Sequence, residues 1–522
     1  MTEQAPREVL YPLGAGTEME YSHLIARDQG AGGKLRMERP QDGVAGIILR
    51  QFTPDYIKRT GQNQLAKEYG SDGARRYEDC GHPEDARPLS KTIRGVVVQE
   101  KAGQETMVDI YKMATEPRAH GLPPFIDDFR LSLRLVGSDG MTWGKHLNLH
   151  MNRAPLQIGD GSRKIDWDRF RLLAARLATA PYADGAGGFY LGDFHHAQKT
   201  ATLGCDFDSY TQSRDNQRES KPLVNTRDKT LADEVKYFRL HVVSHDALIN
   251  PKAEHRLVGS TMLTAMAIQE GIELDAAMVP ADAFWKVAKI AADDLTMQRK
   301  IMLENGKMVH PLDLEESVIE SVGTLEDQLD PELSHALELW RDTHQRMRMV
   351  QGAGRNKTGV AAIEAVHEAA IEHLDDVVWA LKLRHMHADY AKNSARYREN
   401  INSYADLLQS VRWAGVDGLY DRIDSMQSLG LQDALLPEYA AYMPSRQEIE
   451  DAKTGASLTE RAAQISRFII EHADVDYTLV GWYYVEDMTR RRFNLLEPFE
   501  TNRELDDFLN TRARARAFVE NL

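Results

Sequence analysis

The chain has very little cysteine: Cys80 and Cys205 are the only two among 522 residues. That excludes a disulfide framework and a cysteine-rich metal site. It also lacks any apolar run near the roughly 20 residues that a membrane helix requires. The opening MTEQAPREVLYPLG has no basic-then-apolar leader, so a soluble cytoplasmic protein is expected. Basic charge is in deficit, with 64 Lys and Arg against 80 Asp and Glu and a net charge of −16, which argues against a general nucleic-acid binder. Both common glycine-rich phosphate signatures are missing: G-x-x-x-x-G-K-[ST], and G-x-G-x-x-G on a strand-to-helix turn. Any nucleotide must therefore lie in a sheet-lined cradle. Length and an apolar content of 42% allow a large core and two or more domains.

What is present is a set of polar residues in strand-like frames. In GTEMEYS, Gly16 to Ser22, Glu18 and Glu20 are two apart and point to the same face of a strand. Two adjacent carboxylates repel, and burying them unpaired is costly, so something cationic is expected opposite them. In SDGARRYEDCGHPEDARP, 71–88, the ARRYED run reads as a strand with Arg75, Tyr77 and Asp79 on one face. Pro83 is expected to end regular pairing and aim Glu84 back toward that strand. In WGKHLNLHMNR, 143–153, His146, Asn148 and His150 alternate with Leu147, Leu149 and Met151. That alternation suits either a half-exposed strand or one lining a polar cavity with imidazole ligands. KYFRLHVV, 236–243, places Arg239 and His241 on one face after a turn at Asn225-Thr226-Arg227-Asp228. Carboxylates, imidazoles and arginine forks together suit hard divalent cations and a polyphosphate.

Residues 27–45 read as a long mobile loop rich in Gly and charge. Mixed helical signals cover about 94–117, strand-like segments recur near 128–136, 145–153 and 236–244, and 166–180 has helical spacing. From about 255 to 432 the chain reads as mostly helical, with 362–386 as one long run. MPSRQEIEDAKTGASLTER reads as a polar connection before a helix near 459–472. A hairpin over 475–499, turning at Glu486–Thr489, and a basic helical tail complete a small C-terminal domain, placed at 433–522 after a main domain of 1–432.

In order and wording these motifs resemble the family of Pup ligases and Pup deamidase/depupylases (PafA and Dop), within the glutamine-synthetase-like carboxylate-amine ligases. The matching pieces are GTEMEY, DGARRYED with HPE, EKAGQETM (100–107), WGKHLNLHMNR, VNTRD with LADEVKYFRLHV, and the hairpin ending LLEPF. They run in family order over roughly 14–265 and again over about 475–500. The resemblance implies an α+β fold, with a curved antiparallel sheet forming an ATP and Mg²⁺ cradle backed by helices, and a small C-terminal domain. It implies that Glu18, Glu20 and Glu84 are metal-ligand carboxylates and that His146 and His241 are imidazoles at the metals. It makes Asp79 the catalytic aspartate, with Arg227 and Arg239 near the phosphates and Asn148 in the same nucleotide-side strand motif. It further implies a Pup-like protein modifier and its lysine conjugates as partners.

The opening GTEMEYS is nearer the depupylase's G-T-E-V-E-Y-G than the ligase's G-I-E-T-E-F-G. The three steps from Asp79 to His82 match the depupylase, where the ligase has four. EKAGQETM and the M-x-R ending of WGKHLNLHMNR look alike to that branch, whereas the terminal EPF is intermediate. The 27–45 loop would be a shorter form of the depupylase's extra loop. The expected activity is ATP- and Mg²⁺-dependent hydrolysis of a C-terminal glutamine amide or an isopeptide bond. Alternatives are an ATP-consuming ligase joining a glutamate to lysine, and a non-catalytic nucleotide- or modifier-binding homologue. Three departures mark this chain: the family's H-E-N-Y reads His146-Leu147-Asn148-Leu149, HPEY reads HPED, and Ser-Gln-Arg has its best counterpart in Ala197-Gln198-Lys199. Lys199 would then stand where an arginine approaches the phosphates, without its bidentate geometry.

Overall fold

A computed structural model describes residues 14–26, 43–59, 69–70, 72–117, 124–136, 142–159, 163–190, 193–209, 221–274, 279–280, 282–397, 422–423, 439, 441–471, 479–481, 484–486, 490–497 and 500–520. Seven strands form the main sheet: β1 (Gly14–Glu20), β3 (Arg75–Asp79), β4 (His82–Ala86), β6 (Lys145–Asn152), β9 (Leu203–Asp208), β10 (Lys221–Asn225) and β11 (Tyr237–His245). Their order is β3-β4-β1-β6-β11-β10-β9. Every neighbouring pair is antiparallel except β9 and β10, which run parallel at one edge, so the expected antiparallel sheet is a mixed one. Beside it, β2 (Ser22–Ala26) pairs with β5 (Asp128–Ser132) and β7 (Gly188–Tyr190) with β8 (Asp193–His195).

The sheet is one-sided because its strands alternate. Ala15, Thr17 and Met19 of β1, Leu147, Leu149 and Met151 of β6, and Phe238, Leu240 and Val242 of β11 are all buried against the helices. Helices α2 (Ile93–Ala114), α3 (Arg171–Asp184) and α4 (Pro251–Gln269) form the layer behind them. The interleaved residues, among them Glu18, Glu20, His146, Asn148, Arg239 and His241, face the other way. Leu147 and Leu149, the two departures from the family wording, thus lie on the core face at 0% exposure and leave the polar face unaltered.

Several expectations need amendment. The 27–45 loop lies outside the described residues through residue 42, while α1 (Val44–Arg59) begins within its last positions. A long-range contact starts that helix: the Gly43 and Gly46 amides donate to the Glu78 carboxylate. Pro83 does not end pairing; it sits within β4, opposite Glu78. Since Asp79 and His82 close a two-residue hairpin, Pro83 falls at the next, non-hydrogen-bonded position toward β3, where its missing N–H costs no ladder bond.

The 362–386 run is broken into α8 (Gly359–His373) and α9 (Val378–Tyr397), after α5 (Phe284–Asp293), α6 (Pro311–Gly323) and α7 (Pro331–Ala353). The break places Asp376, 0% exposed, where Arg256 and Arg346 each donate to it at 3.0 Å. Beyond Tyr397 the expected helical stretch lies outside the described residues, apart from Arg422 and Ile423.

The polar connection expected after 443 contains a helix, α10 (Arg446–Thr454). Ser445 and Glu448 form a reciprocal capping box at its start, and Gly455, at φ 83°, closes its end. Helix α11 (Glu460–Glu471) and a three-stranded meander (Leu479–Gly481, Tyr484–Glu486, Arg492–Asn494) follow, then α12 (Arg503–Glu520). Ile465, Phe468, Val485, Phe493, Leu505 and Leu509 join in a core separate from the main one, with Tyr69 as a contribution from outside.

Behind β3 and β4 lies a buried ionic square. Asp72 accepts from Arg76 and, at 2.9 Å, from Arg87, while Arg76 Nε lies 3.1 Å from Asp85 Oδ1. All four side chains are 1% exposed. Burial opposes ionisation of Asp72, but the two guanidiniums outweigh it and hold its pKa at about 2. Burial raises that of Asp85, because the same arginines offset it less fully. Asp72→Asn is expected to cost about 3–5 kcal/mol in denaturant unfolding at pH 7, the cost of stranding a buried charge. Because Asp72 is depressed in the folded state, its contribution is full above about pH 4 and fades toward about pH 2. The gap between wild type and variant should therefore narrow as pH falls through that window; a pH-independent gap would show that the square is not ionised as described.

Candidate functional site

Strand register divides the two glutamates. Glu20 lies directly across from Glu84 on β4, and Glu18 directly across from His146 on β6. His241 on β11 faces Asn148, one step along that face. Two groups of three ligand atoms result, each gathered within 4.8 Å: Glu18, His146 and His241 in one, Glu20, Asp79 and Glu84 in the other. The candidate residues on β1, β3, β4, β6 and β11 are thus brought to one face, with Asp79 at its exposed rim.

In the first group, Glu18 Oε2 is 3.2 Å from His146 Nδ1 and 3.5 Å from His241 Nε2. The imidazoles meet edge-on with centroids 5.0 Å apart. Arg239 ties the group to β6: its Nε donates to Asn148 Oδ1 at 2.7 Å and its Nη2 to Glu18 Oε1 at 3.3 Å. Burial works against the Glu18 charge, but Arg239, His146 and His241 outweigh it and hold its pKa well below the usual range. Burial lowers the pKa of both imidazoles; Arg239 adds to this at His241, while Glu18 opposes it at both. Neutral imidazoles beside an ionised carboxylate are a competent donor set for a metal ion.

The second group is all oxygen. Burial, then Glu20 and Glu18, push the pKa of Glu84 well above normal, although Tyr77 donates to its Oε1 at 2.5 Å. A buried carboxylate held uncharged by the carboxylates opposite it is a place where a hard divalent cation would fit. Glu20 is aimed by the backbone, since the Gly144 amide donates to its Oε2 at 2.8 Å.

Two other candidates stand apart from these hydrogen bonds. Arg227 is exposed after β10, donates to the Ser209 carbonyl at 2.6 Å, and reaches His241 only through its charge. Lys199 is buried at 1% exposure; its ammonium donates to the Trp143 carbonyl, and its charge acts on His146.

Sequence reasoning missed Arg461. This side chain enters from α11 and lines a cavity with Glu18, Asn148, His150 and Arg239. It donates to the carbonyls of Leu231 at 2.8 Å and Leu495 at 3.4 Å, and no carboxylate within ion-pair distance is found among the described residues. Burial alone brings its pKa down to about 10. Burial, then Arg461 and Arg239, take that of His150 down to about 3. Arg75 stacks over Tyr77, 4.4 Å from the ring centroid, on the face where its spacing had placed it. A lone arginine in a helix carries no signal for such a position; only the docking of α11 reveals it.

Gly144 has a steric reason to be glycine: a Cβ there would stand 2.2 Å from His146 Nε2. Gly144→Ala is expected to tilt the His146 ring out of the first group while the sheet stays intact. The imidazole ¹H–¹⁵N signals of His146 should then lose their carboxylate-contact signature; unchanged signals would show that the ring has slack.

A family model described as Pup-ligase protein matches residues 16–486. The chain is 24% identical over 481 residues to a Pup–protein ligase of Acidimicrobium ferrooxidans, covering 88% of this chain and 94% of the relative. It is 24% identical over 415 residues to a Pup deamidase/depupylase of Mycolicibacterium smegmatis, covering 75% and 72%. Among solved structures it resembles the Pup ligase PafA in complex with Pup, with a TM-score of 0.71 at 20% identity over 97% of this chain and 94% of the other. It also resembles PafA in complex with ADP, with a TM-score of 0.65 at 20% identity over 93% and 97%. These two likenesses agree with the α+β fold described above. Among the described residues no helix is long and apolar enough to cross a membrane.

Proposed function

The chain belongs to the Pup-ligase family, and on that footing we propose that it is an ATP- and Mg²⁺-dependent amidohydrolase acting on a Pup-like modifier. Its substrate is the modifier's C-terminal glutamine amide, its isopeptide bond to lysine, or both. One observation carries the reading: Glu18 and Glu20 open into two three-donor groups on one sheet face, with Asp79 exposed at the rim. These carboxylates would hold divalent cations, whose positive charge would offset their repulsion and that of a nucleotide's phosphates. Glu18, His146 and His241 would hold one cation, and Glu20 and Glu84 would hold another beside Asp79. Arg239 and Asn148 face the nucleotide, with Lys199 and Arg227 adding positive charge at the margins. Asp79 serves the γ-glutamyl carbonyl either as base toward water or as a nucleophile whose acyl bond water then hydrolyses; the C–N bond breaks, a proton passes to the leaving nitrogen, and ammonia or the lysine amine departs. The modifier and ADP in the PafA complexes support this choice of partner and nucleotide. The division into a main domain of 1–432 and a C-terminal domain of 433–522 is part of this reading; the separate core from Ile465 to Leu509 supports a C-terminal unit, whereas Ile449 and Ala452 of α10 pack against Val98 and Ala102 of α2.

A second reading is favoured by the names of the relatives, among which Pup–protein ligases recur. A ligase would phosphorylate a C-terminal glutamate and use Asp79 as base toward the attacking lysine. Both readings share the two donor groups; the three-step spacing from Asp79 to His82, a two-residue hairpin in the structure, is what favours the hydrolase over the ligase.

The deciding assay supplies Mg²⁺, ATP and either a Gln-ended Pup-like peptide or a Pup–lysine conjugate, and follows ammonia, free modifier and ADP together. Ammonia or free modifier with little ADP is expected, falling at least about 10²-fold in Asp79→Asn. ADP formed only with a Glu-ended modifier and an amine would establish the ligase. Nucleotide binding without either product would make the chain a binding protein. Counting bound Mn²⁺ by electron paramagnetic resonance tests the two groups: Glu84→Gln is expected to remove one ion and spare the other, and loss of both would mean a single shared site.

A further inference from the structure

The turn that carries Asp79 is unusual in its backbone. Asp79 and His82 close a two-residue loop in which Cys80 and Gly81 both have positive φ, 48° and 84°. This is the pattern of a type I′ turn. Glycine adopts it freely; cysteine at such a φ costs roughly 1–2 kcal/mol. Something must hold the turn, and its neighbour on β2 is placed to do so.

His23 is 3% exposed, with its Nε2 3.0 Å from the Gly81 carbonyl oxygen and its Nδ1 2.8 Å from the Tyr111 hydroxyl. A carbonyl can only accept, so Nε2 carries the proton and Nδ1 accepts from the tyrosine O–H. Tyr111 is anchored in α2 at 0% exposure. The turn is also tied through its far side, where His82 Nδ1 lies 3.1 Å from the Tyr21 carbonyl oxygen and the Tyr21 amide donates to the Pro83 carbonyl at 2.9 Å. Glu78, just before Asp79, is held by the amides at the start of α1. Of these ties, the chain from Tyr111 through His23 to Gly81 alone links the turn's own backbone to the helical layer by side chains in a defined tautomer.

We propose that His23, oriented by Tyr111, is a positioning residue for Asp79: it holds the Cys80-Gly81 turn so that the Asp79 carboxylate stays beside Glu20 and Glu84. The proposal rests on the reading of Asp79 as the reacting carboxylate. His23 is buried and belongs to neither donor group, so its loss should lower turnover and leave nucleotide binding alone. A displacement near 1 Å at a reacting group is worth roughly 10²-fold in rate.

The full-length protein is compared as wild type, His23→Leu, His23→Gln, Tyr111→Phe and Asp79→Asn. Three quantities are read: kcat in the assay above, the Kd for ADP with Mg²⁺, and hydrogen exchange over residues 78–83. His23→Leu should lower kcat about 10²-fold, keep Kd within twofold, and speed exchange in that segment at least fivefold. His23→Gln, whose amide can still donate to Gly81, should recover part of each loss. Tyr111→Phe, a milder change should His23→Leu fold poorly, should move the same quantities less. Unchanged exchange in His23→Leu and Tyr111→Phe overturns the relay. Faster exchange with unchanged kcat overturns its bearing on Asp79. An active Asp79→Asn overturns instead the reading on which the proposal rests, with exchange still judging the relay; a wild type without turnover overturns the catalytic half in the same way.

Discussion

The Glu18 carboxylate is the point from which the rest of the site is measured. It sits on the central strand of the polar face and is contacted from β6 by His146 and from β11 by His241 and Arg239. Those contacts require three strands in one register, and that register is enforced from behind by the buried apolar residues interleaved with the ligands. A slip of one residue would bury the imidazoles in the core and turn leucines toward the cradle. Core packing and site geometry are therefore one constraint seen from two sides of the same strands. The reverse face carries charge too: Lys145, next to His146, is buried between Glu100 and Glu254, lying 2.9 Å from Glu100. Burial, then Glu100, bring the Glu254 pKa up to about 8, with Lys145 opposing them.

The division of labour between the two donor groups follows from the same register. Glu18 faces imidazoles and an arginine, and its charge is secured by the protein itself. Glu20 faces Glu84, where burial and the neighbouring carboxylates outweigh the one hydrogen bond from Tyr77. One group thus has its charge balanced by the protein, whereas the other carries carboxylates that burial and mutual repulsion leave opposed. Asp79 belongs to the second and shares its rim.

Much of this was legible in the sequence, because strand alternation is the simplest pattern to read. The period of two placed Glu18 with Glu20, His146 with Asn148, and Arg239 with His241 on common faces, and the structure has them so. What alternation cannot supply is the pairing across strands, which sends the two glutamates to different neighbours. Long-range contacts were equally out of reach: Glu78 starting α1, Asp376 breaking the run at 374–377, and Arg461 arriving from another part of the chain. Motif wording could not foresee that the Lys199 ammonium donates to the Trp143 carbonyl. Helix α10 was readable, as Ser445, Glu448 and Gly455 are start and stop signals at the right spacing; the polar composition around them obscured it.

Arg461 has a consequence of a different kind. It reaches the cavity from α11, whose neighbours form a core of their own, while the opposite wall belongs to the main sheet. An anion that neutralised this guanidinium would touch both parts of the chain at once. Binding and the seating of the C-terminal segment would then be linked equilibria: whatever favours one favours the other by the same free energy. The segment would act as a clasp whose grip is set by ligand concentration, and a partner pulling on it would loosen the ligand without touching either donor group.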